Sequence, residues 1–80
     1  MTDAQILELV KKALHDVEPD RGEDWAAVTL DRSIESLELD SIKTMEMVGF
    51  LEDHTDVVFD DDALAQVHAL SDLARMIRDA

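Results

Sequence analysis

Residues 36–48, SLELDSIKTMEMV, decide how this chain is read. An aspartate–serine pair stands where an acidic, helix-ready segment begins. Aspartate is a strong N-cap because its carboxylate accepts N–H groups that the first helical turn leaves without partners. The helix is therefore expected to start at Asp40 or Ser41 and to run to about His54. Ile42, Met45, Val48, Gly49 and Leu51 fall along one side of it, and Met47 and Phe50 widen the apolar face. Gly49 costs about 1 kcal/mol relative to alanine in a helix interior; it marks either a close approach or plain tolerance. Ser41 has two readings: a helix cap, or an exposed hydroxyl to which something is attached.

Working outward, Thr2 and Gln5 have the spacing of a capping box, and Ile6, Leu7, Val10, Leu14 and Val17 follow at helical intervals. A first helix is expected from Asp3 to Val17. Pro19 and Gly22 end it, opening a connection to Glu38 that is long for a compact domain. Trp25, with Val28, Leu30, Ile34 and Leu37, is expected to pin this connection to the core, by way of a short helical turn. Beyond the Asp-Ser helix, Val57, Val58 and Phe59 read as a buried connector, because a three-residue run has no strand to pair with. Asp60 is expected to cap a short third helix reaching Gln66, and Ser71 a fourth that turns Leu73, Met76 and Ile77 inward. Arg75 and Arg78 suit its C-terminal dipole. The fold class is all-α: a small four-helix bundle with a long first connection and a short third helix, formed as one domain over residues 1–80.

Composition bounds the function. Eighty residues leave little room for a deep catalytic cleft. No cysteine is present to form a disulfide or a thiolate metal site, and no apolar run approaches the roughly 18 residues of a membrane span. The N-terminal residues lack the pattern of a secretory signal, so the expected location is cytoplasmic. The net charge of −13 disfavours nucleic acid and anionic membrane and favours a basic partner. Between Glu38 and Asp62 nine acids face one base, Lys43, giving −8 of that total. The aspartates of residues 56–62 lack the glycine and bidentate glutamate of a calcium loop, so no metal site is expected. Ser41 has no nucleophile-elbow glycines around it, and nothing in the pattern makes the chain an enzyme.

Leu37-Glu38-Leu39-Asp40-Ser41-Ile42, followed by Met45-Glu46-Met47-Val48 and Leu51-Glu52-Asp53, resembles the phosphopantetheine attachment region of acyl carrier proteins. That family's pattern is Leu-Gly-x-Asp-Ser-Leu opening an acidic helix. The resemblance extends over nearly the whole chain and implies that Ser41, with Asp40 beside it, receives 4′-phosphopantetheine from coenzyme A through a separate phosphopantetheinyl transferase. Acyl groups would then travel as thioesters on the arm, with no catalytic base supplied by the carrier. It also implies that Glu46, Glu52 and Asp53 meet basic patches on acyl-loading and acyl-processing enzymes, with Ile42 and Met45 as apolar contacts, although Met45 equally suits the core. Val48, Leu51, Val58, Phe59, Leu64 and Leu73 would line an interior able to admit a short acyl chain, although ordinary core packing accounts for the same residues. The chain departs from the pattern at Glu38, where glycine is usual, at Lys43, often acidic, and at Thr55, commonly aromatic. The resemblance thus implies a freestanding, monomeric acyl carrier of fatty acid, polyketide or lipopeptide type. An aminoacyl or peptidyl carrier of D-alanyl type is the alternative within the class, and an unmodified helical interaction module the alternative outside it.

Overall fold

A computed structural model describes all 80 residues. Helix α1 spans Asp3–Val17, and its capping box is formed: the Thr2 hydroxyl accepts from the Gln5 N–H at 3.2 Å, while the Gln5 side chain accepts from the Thr2 N–H at 2.9 Å. Its inward side is Ile6, Val10, Ala13, Leu14 and Val17. Helix α2 is a five-residue turn, Gly22–Ala26, reached through a 3₁₀ turn at Pro19–Arg21. Helix α3 is Ser41–Thr55, α4 is Asp61–Leu64 and α5 is Leu70–Arg78. Helices α1 and α3 form the main packing pair, and α5 closes against α1. Sixteen buried apolar residues make one core. The all-α bundle is as expected, with α2 as the short helical turn within the long connection.

That connection is fastened by what it buries. Trp25, Val28 and Leu37 are fully or almost fully inside, and Leu30 and Ile34 pack against the core's edge. The Trp25 indole N–H donates to the Glu18 carbonyl at 2.8 Å, so the ring is buried without orphaning its polar atom. Farther along, the connection pairs with the start of α5. Ile34 N–H donates to the His68 carbonyl at 2.8 Å, Leu70 N–H to Arg32 at 3.0 Å and Ser71 N–H to Leu30 at 2.6 Å.

Three local expectations are corrected. Ser71 does not cap the last helix: it lies inside α5, and Asp72 caps from within by accepting from the Ala69 and His68 N–H groups at 3.0 and 2.9 Å. Those two donors hold the Asp72 carboxyl below its ordinary range. Val58 is not buried. The connector is extended, so Val57 and Phe59 turn inward while Val58 points out with 86% of its surface exposed. Helix α4 caps on Asp60 as expected but ends at Leu64, short of Gln66. Beyond its chain neighbours and its own helix backbone, Gly49 has no atom within 4 Å of where a Cβ would stand, which leaves tolerance as its explanation.

Candidate functional site

The start of α3 separates the two readings of the Asp-Ser pair. Asp40 lies outside the helix in extended conformation, and its carboxylate accepts from the Lys43 N–H at 2.8 Å. Its carbonyl accepts from the Thr44 N–H and hydroxyl, both at 2.9 Å. Asp40 is therefore the cap, and the Ser41 hydroxyl is not used for it. Ser41 is the first helical residue, it is exposed, and its hydroxyl takes part in no hydrogen bond within the chain. The N–H groups of Ser41 and Ile42 also lack an acceptor in the chain, the usual condition of a first turn and one that suits an anion.

Ser41, Ile42, Met45 and Glu46 line one shallow open surface. Ile42 is 71% and Met45 55% exposed, which puts Met45 on the surface and leaves the core position to the fully buried Met47. Glu46 and Asp53 are exposed. Glu52 differs from both: it is half-buried, and its carboxylate accepts from the Phe59 N–H at 2.8 Å, holding the connector against α3. Behind the same turn is a pocket of about 130 Å³ lined by Ile34, Met45, Val48, Leu64, Val67 and Leu73, together with Thr44 and Met47. Met45 belongs both to this pocket and to the outer surface beside Ser41. Val48, Leu64 and Leu73 line it as expected, whereas Leu51 and Phe59 are ordinary core and Val58 faces away.

Two features of the site escaped the sequence reading. Lys43, two residues after Ser41, is ion-paired with Glu18 at the end of α1, and its ammonium is held charged to higher pH by that carboxylate. Before the serine, two arginines share one carboxylate. Arg21 donates to Asp24 Oδ2 at 2.6 Å, while Arg32 donates to Oδ1 at 2.9 Å and to Oδ2 at 3.3 Å. Arg21 also reaches the Leu37 carbonyl at 2.6 Å, and Arg32 the Ser36 carbonyl at 3.1 Å. Hydrogen bonds from Arg32, then Arg21, lower the Asp24 carboxyl below its ordinary value. The charged cluster is accordingly intact above the ordinary aspartate range and is lost only as pH falls through the lowered value. Arg21 and Asp24 stand three residues apart, a spacing visible in the sequence; Arg32 joins them only because the connection folds back.

The geometry suits phosphopantetheine: a free, exposed hydroxyl stands at a helix start whose first N–H groups are open, beside an apolar surface. A protein family described as phosphopantetheine attachment site matches residues 4–77. The chain belongs to that family, whose domains carry 4′-phosphopantetheine covalently and work with transferases and biosynthetic enzymes. It is a phosphopantetheine-carrying carrier protein. Comparison with curated proteins and with solved structures returned no match. No helix is long and apolar enough to cross a membrane.

Proposed function

We propose that residues 1–80 act as one non-catalytic acyl carrier domain, with 4′-phosphopantetheine on Ser41 and short acyl groups as cargo. The observation that carries this reading is the free Ser41 hydroxyl, exposed on α3 while Asp40 performs the capping. The arm, once attached, supplies the thiol that bears the acyl group as a thioester. The chain's own part is to present the serine, to offer Ile42, Met45, Glu46 and Asp53 to basic partners, with Glu52 beside them, and to shelter a chain behind Met45.

The size of that shelter supports short cargo. An apolar cavity of about 150 Å³ holds a benzene-sized molecule, and the pocket behind Met45 is of about 130 Å³. The partners we infer are a phosphopantetheinyl transferase and acyl-loading and acyl-processing enzymes of fatty acid, polyketide or lipopeptide synthesis. The setting we infer is cytoplasmic and the working form a monomer. An aminoacyl cargo of D-alanyl type is the second reading within the class. The seven-to-one apolar lining of the pocket favours acyl over charged aminoacyl groups.

Incubating the purified protein with coenzyme A and a broad-specificity transferase should add one phosphopantetheine group, read by intact mass. Ser41→Ala should stay folded, with a stability change below about 0.5 kcal/mol, since the lost hydroxyl caps nothing, and should accept no group. Modification that persists in Ser41→Ala would defeat the assignment. Absence of modification in the parent with several transferases would favour an unmodified interaction module.

A further inference from the structure

We propose that Arg21 is a positioning residue for the attachment serine: clamped by Asp24 and the Trp25 ring, it fixes the Leu37 carbonyl and with it the approach of the chain to Ser41. The proposal rests on Ser41 being the attachment point. Three residues lie between Leu37 and Ser41. The Leu37 side chain is fully buried, and its carbonyl is held by Arg21 Nη1 at 2.6 Å. Two residues past the serine, Lys43 is held by Glu18. Both grips lead to one corner at the end of α1. There the Glu18 carbonyl accepts the Trp25 indole N–H, and the Arg21 guanidinium lies 4.2 Å from the centre of the Trp25 ring. Between the grips, Glu38 takes the left-handed conformation at φ 56°, Leu39 is half-buried, and Asp40 and Ser41 are exposed.

Arginine suits this position for a geometric reason. One planar group donates through Nη1 to a carbonyl and through Nη2 to a carboxylate while its face rests on an indole. A lysine ammonium is a point charge and cannot hold all three at fixed angles. Arg32 repeats the device one peptide earlier: bonded to the same Asp24 carboxylate, it holds the Ser36 carbonyl at 3.1 Å and the Ser36 hydroxyl at 3.0 Å. Two of the chain's seven bases are thus committed to consecutive carbonyls just ahead of the serine. In a reaction where a separate enzyme must bring this hydroxyl to a phosphorus atom, an error of about 1 Å in the nucleophile's position costs on the order of a hundredfold in rate.

The test compares Arg21→Gln and Arg21→Lys with Ile77→Val, a buried control in α5 remote from the connection. Transfer from coenzyme A is followed to give kcat and KM separately, and amide hydrogen exchange is followed at Glu38, Lys43 and Thr44, whose N–H groups donate to the Glu35 carbonyl, the Asp40 carboxylate and the Asp40 carbonyl. For Arg21→Gln we expect kcat to fall about tenfold or more with KM nearly unchanged. Protection at Glu38, Lys43 and Thr44 should be lost while α1 and α5 keep theirs. Arg21→Lys should recover part of both. Asp24→Asn, which loosens the clamp without removing Arg21, should show a smaller fall of the same kind and serves if Arg21→Gln does not fold. Parent kcat with parent protection in these variants, a loss confined to KM, or an equal kcat loss in Ile77→Val overturns the proposal. If the parent takes no group on Ser41, the attachment reading itself fails, and the positioning role goes with it.

Discussion

The two segments that flank α3 are built on opposite principles. Ahead of it, the connection from Glu18 to Asp40 buries Trp25, Val28 and Leu37 and uses Arg21, Arg32 and Lys43 in ion pairs with Asp24 and Glu18. Behind it, residues 56–62 carry four aspartates with no ion pair, bury only Phe59 fully, and are fastened to α3 by the Glu52 carboxylate. Charge is consumed internally in the segment that leads to Ser41. It is left unpaired in the acidic segment that follows α3. The contrast explains how a chain of net charge −13 combines a well-anchored site with a strongly acidic face.

The harshest way to break the anchored side is Trp25→Ala. Removing a fully buried indole and the ring beneath Arg21 should cost about 3–5 kcal/mol, a large part of what an 80-residue domain has. A urea unfolding curve measures it, and a loss under about 1 kcal/mol would mean that the first connection is not held through its tryptophan.

The acidic side is sharpened by comparing two charge reversals. Glu52→Lys should lose about 1–3 kcal/mol, because the Phe59 N–H forfeits its acceptor. Glu46→Lys, on an exposed carboxylate with no hydrogen bond in the chain, should change stability by less than about 0.5 kcal/mol yet slow modification by a basic transferase at low salt. Equal stability losses would remove the distinction between a carboxylate that fastens and one that is offered. Unchanged transfer kinetics in Glu46→Lys would take α3 out of docking.

A smaller effect probes the anchored side again. Glu38 has φ 56°, where a Cβ is strained. Glu38→Gly should therefore stabilise the fold by up to about 1 kcal/mol. Asp56, at φ 57° on the other flank, should gain less on the same change, since aspartate tolerates this conformation better. Thermal melts of the two variants order them, and a larger gain at Asp56 would reverse the account. Smallest of all, sodium chloride added at neutral pH should raise the melting temperature by screening the unpaired acids over about 8 Å at physiological ionic strength. A flat or falling response would show that like-charge repulsion does not govern the acidic segment.

How much of this was legible follows the range of the interactions. Thr2 with Gln5, and Asp40 ahead of Ile42, are signals that act within one helical turn, so the starts of α1 and α3 could be read directly. The start of α5 could not. Its first turn is set by hydrogen bonds to Leu30 and Arg32, some forty residues earlier, and Ser71 as a local cap signal lost to them. Val58 was misread because three apolar residues suggested uniform burial, although an extended segment alternates and could have been assigned on that ground. Ser41 stands out in the sequence as the proposed attachment point through its surroundings. The hold on it was not legible, because Arg21 meets Leu37 sixteen residues on and Lys43 meets Glu18 twenty-five residues back. Glu52 read as one more surface acid, and only the turn of the connector revealed it as the acceptor for Phe59.

The central claim is that the anchored side of α3 exists to present one particular hydroxyl. It is tested most directly by peptide-level mass fragmentation of the protein after reaction with coenzyme A and a transferase, which locates the added group among the four serines. The account predicts phosphopantetheine on Ser41 alone, with Ser33, Ser36 and Ser71 unmodified. A group found on any of those three, or shared between them and Ser41, would contradict it.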